Sequence, residues 1–188
     1  MAAARRGGSG RVRIIGGRWR GRWLTVPAVP GLRPTPDRVR ETLFNWLQPH
    51  LHGARCLDLF AGSGALAFEA LSRGAAEVVA VERDGTAVAA LQAAAETLQA
   101  DGLQLQRADA LTFLAGTPRP FDVIFLDPPF AADLLPTLLA RLTPGWLAAP
   151  AWIYLESAPG QAPELPAGWE ALRQRRAGDV VYRLVRHA

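Results

Sequence analysis

The stretch LDLFAGSGALAFEA (residues 57–70) has the pattern of a buried strand that turns through glycines into a helix. Gly62 and Gly64 permit a tight turn, and they let backbone amides approach a ligand where the helix begins. The spacing of Gly62, Gly64 and Ala67 also satisfies a dinucleotide-binding fingerprint, and Glu82 stands 20 residues after Gly62, where an acceptor for ribose hydroxyls is expected. This stretch predicts an open α/β sheet that binds a nucleoside-containing cofactor, without saying which one.

Apolar runs typical of strands alternate with helical patterns after this point. Strands are predicted at residues 54–60, 77–82, 103–108, 121–127 and 151–156. Helices are predicted at about 64–73, 84–100 and 131–142, with a short one near 110–115. Two extended runs within 169–186, joined at Gly178, predict a β-hairpin. The pattern predicts an α/β fold with a doubly wound, mostly parallel seven-stranded sheet and a C-terminal antiparallel hairpin.

The segment before the first of these strands is predicted to be a small basic appendage. Residues 1–10 predict a disordered tail, and residues 11–34 a basic N-terminal β-hairpin followed by a linker rich in proline and glycine. The main domain then spans residues 35–188.

The main domain is expected to open with a helix. Thr35 is its predicted N-cap, Pro36 its first residue and Pro49 its end. Helical spacing predicts an apolar face, formed by Val39, Leu43, Trp46 and Leu47.

Positive charge is concentrated near the N-terminus. All 21 basic residues are arginine, and residues 1–40 hold ten of them against a single acid, Asp37, a local net charge of +9. The other 148 residues hold eleven arginines and sixteen acids, a net charge of −5. A basic segment on a mildly acidic body predicts a polyanionic partner, most simply nucleic acid. Codon bias would explain arginine in place of lysine, but not its concentration in one fifth of the chain.

The composition also limits location and metal binding. No apolar stretch is long enough to cross a bilayer, so we expect a cytoplasmic protein without a membrane span. The single cysteine, Cys56, leaves no internal disulfide and no all-cysteine metal site, and we expect no metal. Nothing in the sequence demands more than a monomer.

Acidic residues close three successive predicted strands, at the edge where ligands of open α/β sheets bind. The charge of Asp58 would repel a pyrophosphate but suits the sulfonium and ammonium groups of S-adenosylmethionine. Glu82 can accept both ribose hydroxyls, and Asp109 can accept from the exocyclic amine of an adenine. Each acid taken alone is equally well a solvated loop residue, but the three together favour S-adenosylmethionine.

The motif DPPF (residues 127–130) directly follows the fourth predicted strand. An amine conjugated to a ring is a poor nucleophile because its lone pair is delocalised. Hydrogen bonds from such an amine to Asp127 and to the Pro128 carbonyl would localise the lone pair, and Pro128 and Pro129 stiffen the loop. Phe130 offers a ring on which a flipped-out base can stack. These four residues are therefore the predicted catalytic loop of an enzyme that transfers a methyl group to an amine.

DPPF also resembles the catalytic motif of amino-methyltransferases. RIIGGRWRGRWL (13–24), RPTPDRVRETLFNWL (33–47), LDLFAGSGALAFEALSRGA (57–75) and FLDPPF (125–130) together resemble the RsmD family of bacterial 16S ribosomal RNA guanine-N2 methyltransferases. The resemblance runs from about residue 11 to the C-terminus. It implies a Rossmann-like fold and methylation of one guanine (966 in the usual rRNA numbering). The implied partner is 16S rRNA or a small-subunit assembly intermediate.

The resemblance places cofactor binding at the glycine turn and at the ends of the next two strands. With their neighbours, the predicted cofactor-binding residues are Asp58, Phe60, Ala61, Gly62, Ser63, Gly64, Glu82, Arg83, Asp109 and Ala110. The arginines that we expect to contact RNA are Arg11, Arg13, Arg18, Arg20, Arg22, Arg38 and Arg40, the last two because they lie off the predicted apolar face of their helix. Phe130 replaces the usual Tyr of the family, which keeps a stacking surface but no hydroxyl.

Other functions stay open on the sequence. An adenine-N6 methyltransferase acting on DNA or RNA would use the same loop chemistry. An NAD-dependent oxidoreductase would explain the glycine turn and Glu82, but not Asp58 or the DPPF motif. A non-catalytic RNA-binding protein would use the basic segment alone.

Overall fold

A computed structural model describes residues 10–142 and 145–188 of the chain. The strands are β1 (Gly10–Arg13), β2 (Trp23–Val26), β3 (Arg55–Asp58), β4 (Glu77–Glu82), β5 (Leu103–Arg107), β6 (Phe121–Leu126), β7 (Leu147–Ser157), β8 (Trp169–Ala177) and β9 (Val180–His187). The α-helices are α1 (Asp37–Leu51), α2 (Ala65–Ser72), α3 (Gly85–Leu98), α4 (Ala110–Leu114) and α5 (Leu135–Arg141). A single 3₁₀ turn at Phe130–Ala132 precedes α5.

Strands β3 to β9 form one seven-stranded sheet in the order β5-β4-β3-β6-β7-β9-β8. Neighbouring strands from β5 to β7 run parallel, whereas β9 pairs antiparallel with both β7 and β8. The predicted doubly wound sheet with a C-terminal antiparallel hairpin is therefore confirmed. The strand that leads into DPPF, β6, lies directly beside β3, so the two loops that follow these strands are neighbours.

Apolar side chains cover both faces of this sheet. On one face, α1, α2 and α3 pack over residues such as Cys56, Val78 and Phe125. On the other face, α4 and α5 pack over residues such as Leu57 and Ile124. Successive strand residues point to opposite faces, which explains why neighbours in β3 belong to different cores. Among residues 10–142 and 145–188, no helix is both long and apolar enough to span a bilayer.

Two strands begin earlier than predicted. β1 includes Gly10, which the sequence pattern places in the tail; the rest of the predicted tail, residues 1–9, lies outside the described residues. β7 begins at Leu147 instead of 151, because Leu147 still pairs with Phe121 across a register shift between β6 and β7.

The predicted ends of the first helix are both wrong. The N-cap of α1 is Pro36, without a side-chain cap, and the helix starts at Asp37. The Thr35 hydroxyl is directed instead at β7, where it donates to the buried carboxylate of Glu156. Pro49 lies inside the last turn, and the helix runs on to Leu51, which is fully buried in the core. A proline this close to the end removes little helical hydrogen bonding.

Helix α5 also starts later than predicted, at Leu135 instead of 131. The 3₁₀ turn at Phe130–Ala132 occupies the intervening chain, and Asp133 then adopts a left-handed conformation with φ 43°. A left-handed residue interrupts a right-handed helix, and Pro136 favours a fresh start because proline fits the first turn.

The N-terminal hairpin (residues 10–26) is antiparallel, with Gly10 opposite Val26, and it packs directly on the main domain. Its buried residues belong to the same core as α1 and α2; they are Val12, Ile14, Trp19, Leu24 and Val26. Gly17 touches the last residue of α2, Ser72. A Cβ at Gly17 would lie 1.8 Å from the Ser72 carbonyl oxygen, so this approach requires glycine.

A fully buried guanidinium joins the hairpin to the two nearest helices. Arg40 of α1 is 0% exposed and donates to the Arg13 carbonyl (2.9 Å), the Thr35 carbonyl (3.1 Å), Asp37 and Glu69 (3.4 Å). The prediction that Arg40 lies off the buried face of its helix and contacts RNA is wrong. Helical spacing alone does not reveal a buried arginine, because its partners come from distant segments.

Glu69 of α2 completes this buried cluster. It is 0% exposed and accepts from the backbone amides of Ile15 and Gly16, both at 2.8 Å, and from Arg73 at 2.8 Å. Backbone amides of the hairpin thus find their acceptor in a helix more than fifty residues away. Arg40, Glu69 and Arg73 each have a charged partner in this cluster. Their hydrogen bonds to the hairpin backbone hold the hairpin against α1 and α2.

We expect Glu69→Ala to lower the free energy of unfolding by about 3–5 kcal/mol, because it leaves Arg40 buried beside unpaired amides. Chemical denaturation would measure the change. Glu77→Ala serves as the control, since Glu77 pairs with Arg55 and Arg119 in a half-exposed position and should cost about 1 kcal/mol or less. Equal losses in the two variants would contradict the assignment.

Candidate active site

The carboxyl ends of four parallel strands, β3 to β6, meet at one edge of the sheet. The register sets Asp58 beside Ala80 and Phe125, and Glu82 beside Arg107. The glycine turn follows β3, and the DPPF loop follows β6. The structure therefore brings the predicted cofactor-binding loop and the predicted catalytic loop to the same edge.

The glycine turn between β3 and α2 is tightly packed. Gly64 is the N-cap of α2 in a left-handed conformation, with φ 80°. A Cβ there would lie 2.5 Å from the Leu91 side chain and 2.7 Å from the Phe68 ring, so only glycine fits. Gly62 also has positive φ, and between these glycines Ser63 is buried. The turn leaves the N-terminus of α2 facing the strand ends, where backbone amides can meet a ligand.

Glu82 is held at the end of β4 by two backbone amides. Its Oε2 accepts from Gly62 and its Oε1 accepts from Asp84, both at 2.9 Å. The same carboxylate that is predicted to bind a ribose therefore also anchors the glycine turn. Each carboxylate oxygen has a second lone pair, so these bonds leave acceptor capacity for hydroxyl groups.

Asp58 is the most perturbed acid of the cofactor-binding set. It is 2% exposed, and its Oδ1 accepts from the Phe60 amide at 3.2 Å. Burial raises the pKa of Asp58 to about 7, against the lowering effect of that hydrogen bond. The charges of Glu82 and Glu156 raise the pKa further. Ionised Asp58 is thus costly until a positive charge arrives beside it.

The remaining predicted cofactor residues are spread around this edge. Asp109 is exposed and is the N-cap of α4, where its Oδ1 accepts from Leu111 (2.9 Å) and Thr112 (3.4 Å). Ala110 and Ala61 are buried, Phe60 is half-buried, and Arg83 is exposed.

The DPPF loop leaves β6 with Asp127 partly exposed, Pro128 buried, Pro129 exposed and Phe130 half-buried. Pro129 caps the 3₁₀ turn that starts at Phe130, and its carbonyl accepts from Ala132 at 3.1 Å. The turn stiffens the loop in addition to the two prolines. The Phe130 ring keeps part of its surface open to a stacking partner.

Sequence reasoning missed Glu156 on β7. This residue is 4% exposed and accepts from the Tyr154 hydroxyl (2.7 Å) and the Thr35 hydroxyl (3.2 Å). It also lies beside Asp127 of the catalytic loop, because the preceding residues, Leu126 and Leu155, are paired across β6 and β7. A signal was present: Glu156 closes the fifth predicted strand, just as Asp58, Glu82 and Asp127 close earlier ones.

Loss of hydration is the main cause of the raised pKa values of Asp127 and Glu156. Although Asp127 is partly exposed as a residue, desolvation of its carboxyl group, followed by the charge of Glu156, raises the pKa of Asp127 well above its usual range. Burial also raises the pKa of Glu156, while its hydrogen bonds to Tyr154, Asp127 and Thr35 act in the opposite direction. The pKa of the Tyr154 hydroxyl is raised by burial and by the same carboxylate.

Four carboxyl groups thus lie at this edge, those of Asp58, Glu82, Asp127 and Glu156, and Asp58 interacts electrostatically with each of the other three. None of the ion pairs formed by residues 10–142 and 145–188 involves any of the four. Such a site attracts a cation and repels a phosphate. The residues present therefore fit the positively charged S-adenosylmethionine and disfavour the pyrophosphate of NAD. In the same part of the chain, no group of His, Cys, Asp and Glu is arranged to hold a metal ion.

The arginines predicted to contact RNA, apart from Arg40, are exposed. They are Arg11, Arg13, Arg18, Arg20, Arg22 and Arg38. An aromatic ring that sequence reasoning overlooked lies among them: Trp23 is 52% exposed, and the Arg11 guanidinium is 4.8 Å from its ring centroid. Arginine over an exposed tryptophan is typical of surfaces that stack nucleic acid bases.

Comparison with known proteins agrees with this architecture. The family model described as Conserved hypothetical protein 95 matches residues 12–186. The chain belongs to this family. Ribosomal RNA small subunit methyltransferase D of Escherichia coli (strain K12) is 50% identical to it over 179 residues, which cover 94% of this chain and 90% of that protein. The protein of the same name from Haemophilus influenzae is 45% identical over 180 residues, 93% of each chain.

A solved structure in the family has the same fold. The Escherichia coli protein yhhF gives a TM-score of 0.88 at 46% identity, covering 95% of this chain and 98% of that one. The resemblance to the RsmD family, which the N-terminal stretches and the DPPF motif carry, is confirmed.

The affinity for S-adenosylmethionine should depend on pH through Asp58, whose pKa of about 7 lies above the ordinary value. Below this pKa the carboxyl group is protonated and neutral, so affinity for the cation should rise as pH increases towards it. The rise is at most about tenfold per pH unit for one linked proton.

Calorimetric titration between about pH 5.5 and 7.5 would measure the rise, and Asp58→Asn should abolish it. Asp101→Asn is the matched control, because Asp101 is exposed in the turn before β5. A rise that persists in Asp58→Asn would assign the titration to another group.

Proposed function

We propose that this protein transfers the methyl group of S-adenosylmethionine to the exocyclic N2 amine of a guanine in 16S ribosomal RNA, as a monomer in the cytoplasm. The coarser part follows from the family: its Escherichia coli and Haemophilus influenzae members are methyltransferases of small-subunit ribosomal RNA by name. The observation that carries the proposal is the DPPF loop, held beside the acidic cofactor edge at the end of β6.

S-adenosylmethionine supplies an activated methyl group on a positively charged sulfur. Asp58 of the acidic edge would bind this charge, Glu82 would accept hydrogen bonds from the ribose hydroxyls, and Asp109 would accept one from the adenine amine. The Asp127 carboxyl group and the Pro128 carbonyl accept hydrogen bonds from the target amine, which localises its lone pair. Phe130 stacks on the base, and the rigid loop holds the amine in line for attack.

The choice of guanine N2 over adenine N6 rests on the RsmD resemblance of residues 13–24 and 33–47, because both amines suit the catalytic loop. The structure adds that these two stretches contact each other: Arg40 of the second donates to the Arg13 carbonyl of the first. Both stretches carry exposed arginines, which would contact the RNA.

The acidic edge argues against the alternative of an NAD-dependent oxidoreductase. The negative charge of Glu156 raises the pKa of both Asp58 and Asp127, and a pyrophosphate would add to the same repulsion. A non-catalytic RNA-binding protein would have no need of such a costly arrangement of buried acids.

Labelled S-adenosylmethionine should transfer its methyl group to guanine N2 in small ribosomal subunits that lack the modification. We expect Asp127→Ala to lower the rate by about 100- to 1000-fold, because the amine loses its main acceptor. Digestion to nucleosides identifies the methylated base. The exposed control Asp101→Ala should keep the full rate. Label on adenine N6 would replace the guanine proposal, and unimpaired transfer by Asp127→Ala would refute the assigned loop.

Removing exposed arginines of the N-terminal hairpin should weaken RNA binding and flatten its salt dependence. The triple variant of Arg11, Arg13 and Arg22 to Ala should reduce the slope of log affinity against log salt by up to about 1 for each phosphate that is no longer neutralised. The matched control removes three exposed arginines of β8, namely Arg173, Arg175 and Arg176. An equal change of slope in both variants would contradict a specific role for the hairpin.

A further inference from the structure

We propose that Glu156 is a positioning residue for Asp127: the two carboxyl groups share one proton, which orients Asp127 towards the target amine and lets the pair take up the proton that the amine releases. This inference rests on the proposed function, because it needs an amine as the acceptor of the methyl group.

The contacts of Glu156 come from three separate segments. Tyr154 lies two residues earlier on β7, so its side chain is on the same face of the strand and its hydroxyl reaches the Glu156 Oε1 at 2.7 Å. Thr35, from the segment before α1, donates to the same oxygen at 3.2 Å. Leu126 lies opposite Leu155 in the parallel register of β6 and β7, so the next residues, Asp127 and Glu156, leave the two strands side by side. This places the Asp127 carboxyl group next to that of Glu156, and hydrogen bonding between the two acts on the pKa values of both. A carboxylate with this many donors is fixed in one orientation.

A hydrogen bond between two carboxyl groups requires a proton on one of them. Tyr154 and Thr35 both donate to Glu156, which favours the ionised form of Glu156 and places the shared proton on Asp127. The other titratable groups nearby are Asp58 at the end of β3, whose negative charge acts on Asp127, and Tyr182 of β9, which lies opposite Glu156. No cation among the described residues forms an ion pair with either carboxyl group. The pair therefore keeps one proton near neutral pH.

This arrangement determines how Asp127 meets its substrate. One oxygen of Asp127 is occupied by the bond to Glu156, so the rotation of the carboxyl group is fixed and the second oxygen remains an acceptor. That oxygen is uncharged, yet it still accepts a hydrogen bond from an amine. The two prolines, Pro128 and Pro129, then have to fix only the main chain of the loop, because the bond to Glu156 fixes the Asp127 side chain.

The pair also balances the protons of the reaction. The amine nitrogen forms a bond to the methyl carbon, while the carbon–sulfur bond breaks and its electron pair stays on the sulfur. The nitrogen, now positively charged, gives a proton to the open oxygen of Asp127, and Asp127 passes its shared proton to Glu156. The doubly protonated pair afterwards returns one proton to water. No oxidant, reductant or metal is needed.

The inference also gives a role to Thr35, which the sequence places at a helix N-cap. The Thr35 carbonyl accepts from Arg40, and its hydroxyl donates to Glu156. The stretch RPTPD is thereby connected to the catalytic loop through a single residue, Thr35.

The test compares Glu156→Gln with the exposed control Glu164→Gln. The Gln side chain can donate to Asp127, so Asp127 should ionise at a lower pH. In the free protein at neutral pH, the infrared carbonyl band of protonated carboxyl groups should contain an Asp127 component in the wild type, beside that of Asp58, and the Asp127 component should be absent from Glu156→Gln. Asp127→Asn assigns this component by removing it as well.

The kinetic readout separates positioning from folding. In Glu156→Gln, single-turnover methyl transfer should slow by about 10- to 100-fold, and the acid limb of its pH profile should move to lower pH. The dissociation constant for S-adenosylmethionine should stay within about twofold, since the effect acts on the amine and not on cofactor binding. Tyr154→Phe, which removes a donor but keeps both carboxyl groups, should retain the band and slow transfer less.

An unchanged carboxyl band together with an unchanged pH profile in Glu156→Gln would overturn the inference. The infrared measurement needs no RNA, so it distinguishes this failure from failure of the proposed function. If the wild type shows the infrared band of the shared proton but transfers no methyl group to guanine, the proposed function is wrong, whereas the proposal of a carboxyl pair that shares a proton is retained.

Discussion

The buried guanidinium of Arg40 is the interaction on which the arrangement of the N-terminal half depends. Four acceptors from the hairpin, from the start of α1 and the segment before it, and from α2 meet at this one side chain. A guanidinium is planar and has five N–H donors, so it can join several segments at once, which a lysine could not do. Because a buried charge without partners is very unfavourable, these segments have to assemble together.

The same network continues towards the chemistry. From Arg40 it passes through Thr35 to Glu156 and from there to Asp127, so that the hairpin and the catalytic loop are linked by hydrogen bonds between buried groups. The acidic edge and the basic hairpin also divide the molecule electrostatically. One side favours a cationic cofactor and the other a polyanion, which keeps the cofactor and the RNA from competing for one surface.

The sequence predicts most of the fold because each of its signals is local. The glycine turn at Gly62 and Gly64 and the alternation of apolar runs need no distant partner to be recognised. Errors arise where a distant partner decides the outcome. The Thr35 hydroxyl is directed away from the helix start to a carboxylate of β7, to which it donates, and Arg40 turns inwards because Glu69 lies within reach. The candidate site follows the same rule: acids that close strands are visible in the sequence, whereas the bond between Asp127 and Glu156 is not.

Strand β8 is one of the two edge strands of the sheet, and it is paired on one side only, with β9. An unpaired border is a template on which another chain can add by backbone hydrogen bonding, and two copies could polymerise this way. Here the border carries the exposed Arg173, Arg175 and Arg176, and a register shift between Ala171 and Arg173 interrupts its regular pairing. Two such edge strands would repel each other through their like charges, so the arginines of β8 disfavour edge-to-edge association between two copies of the protein.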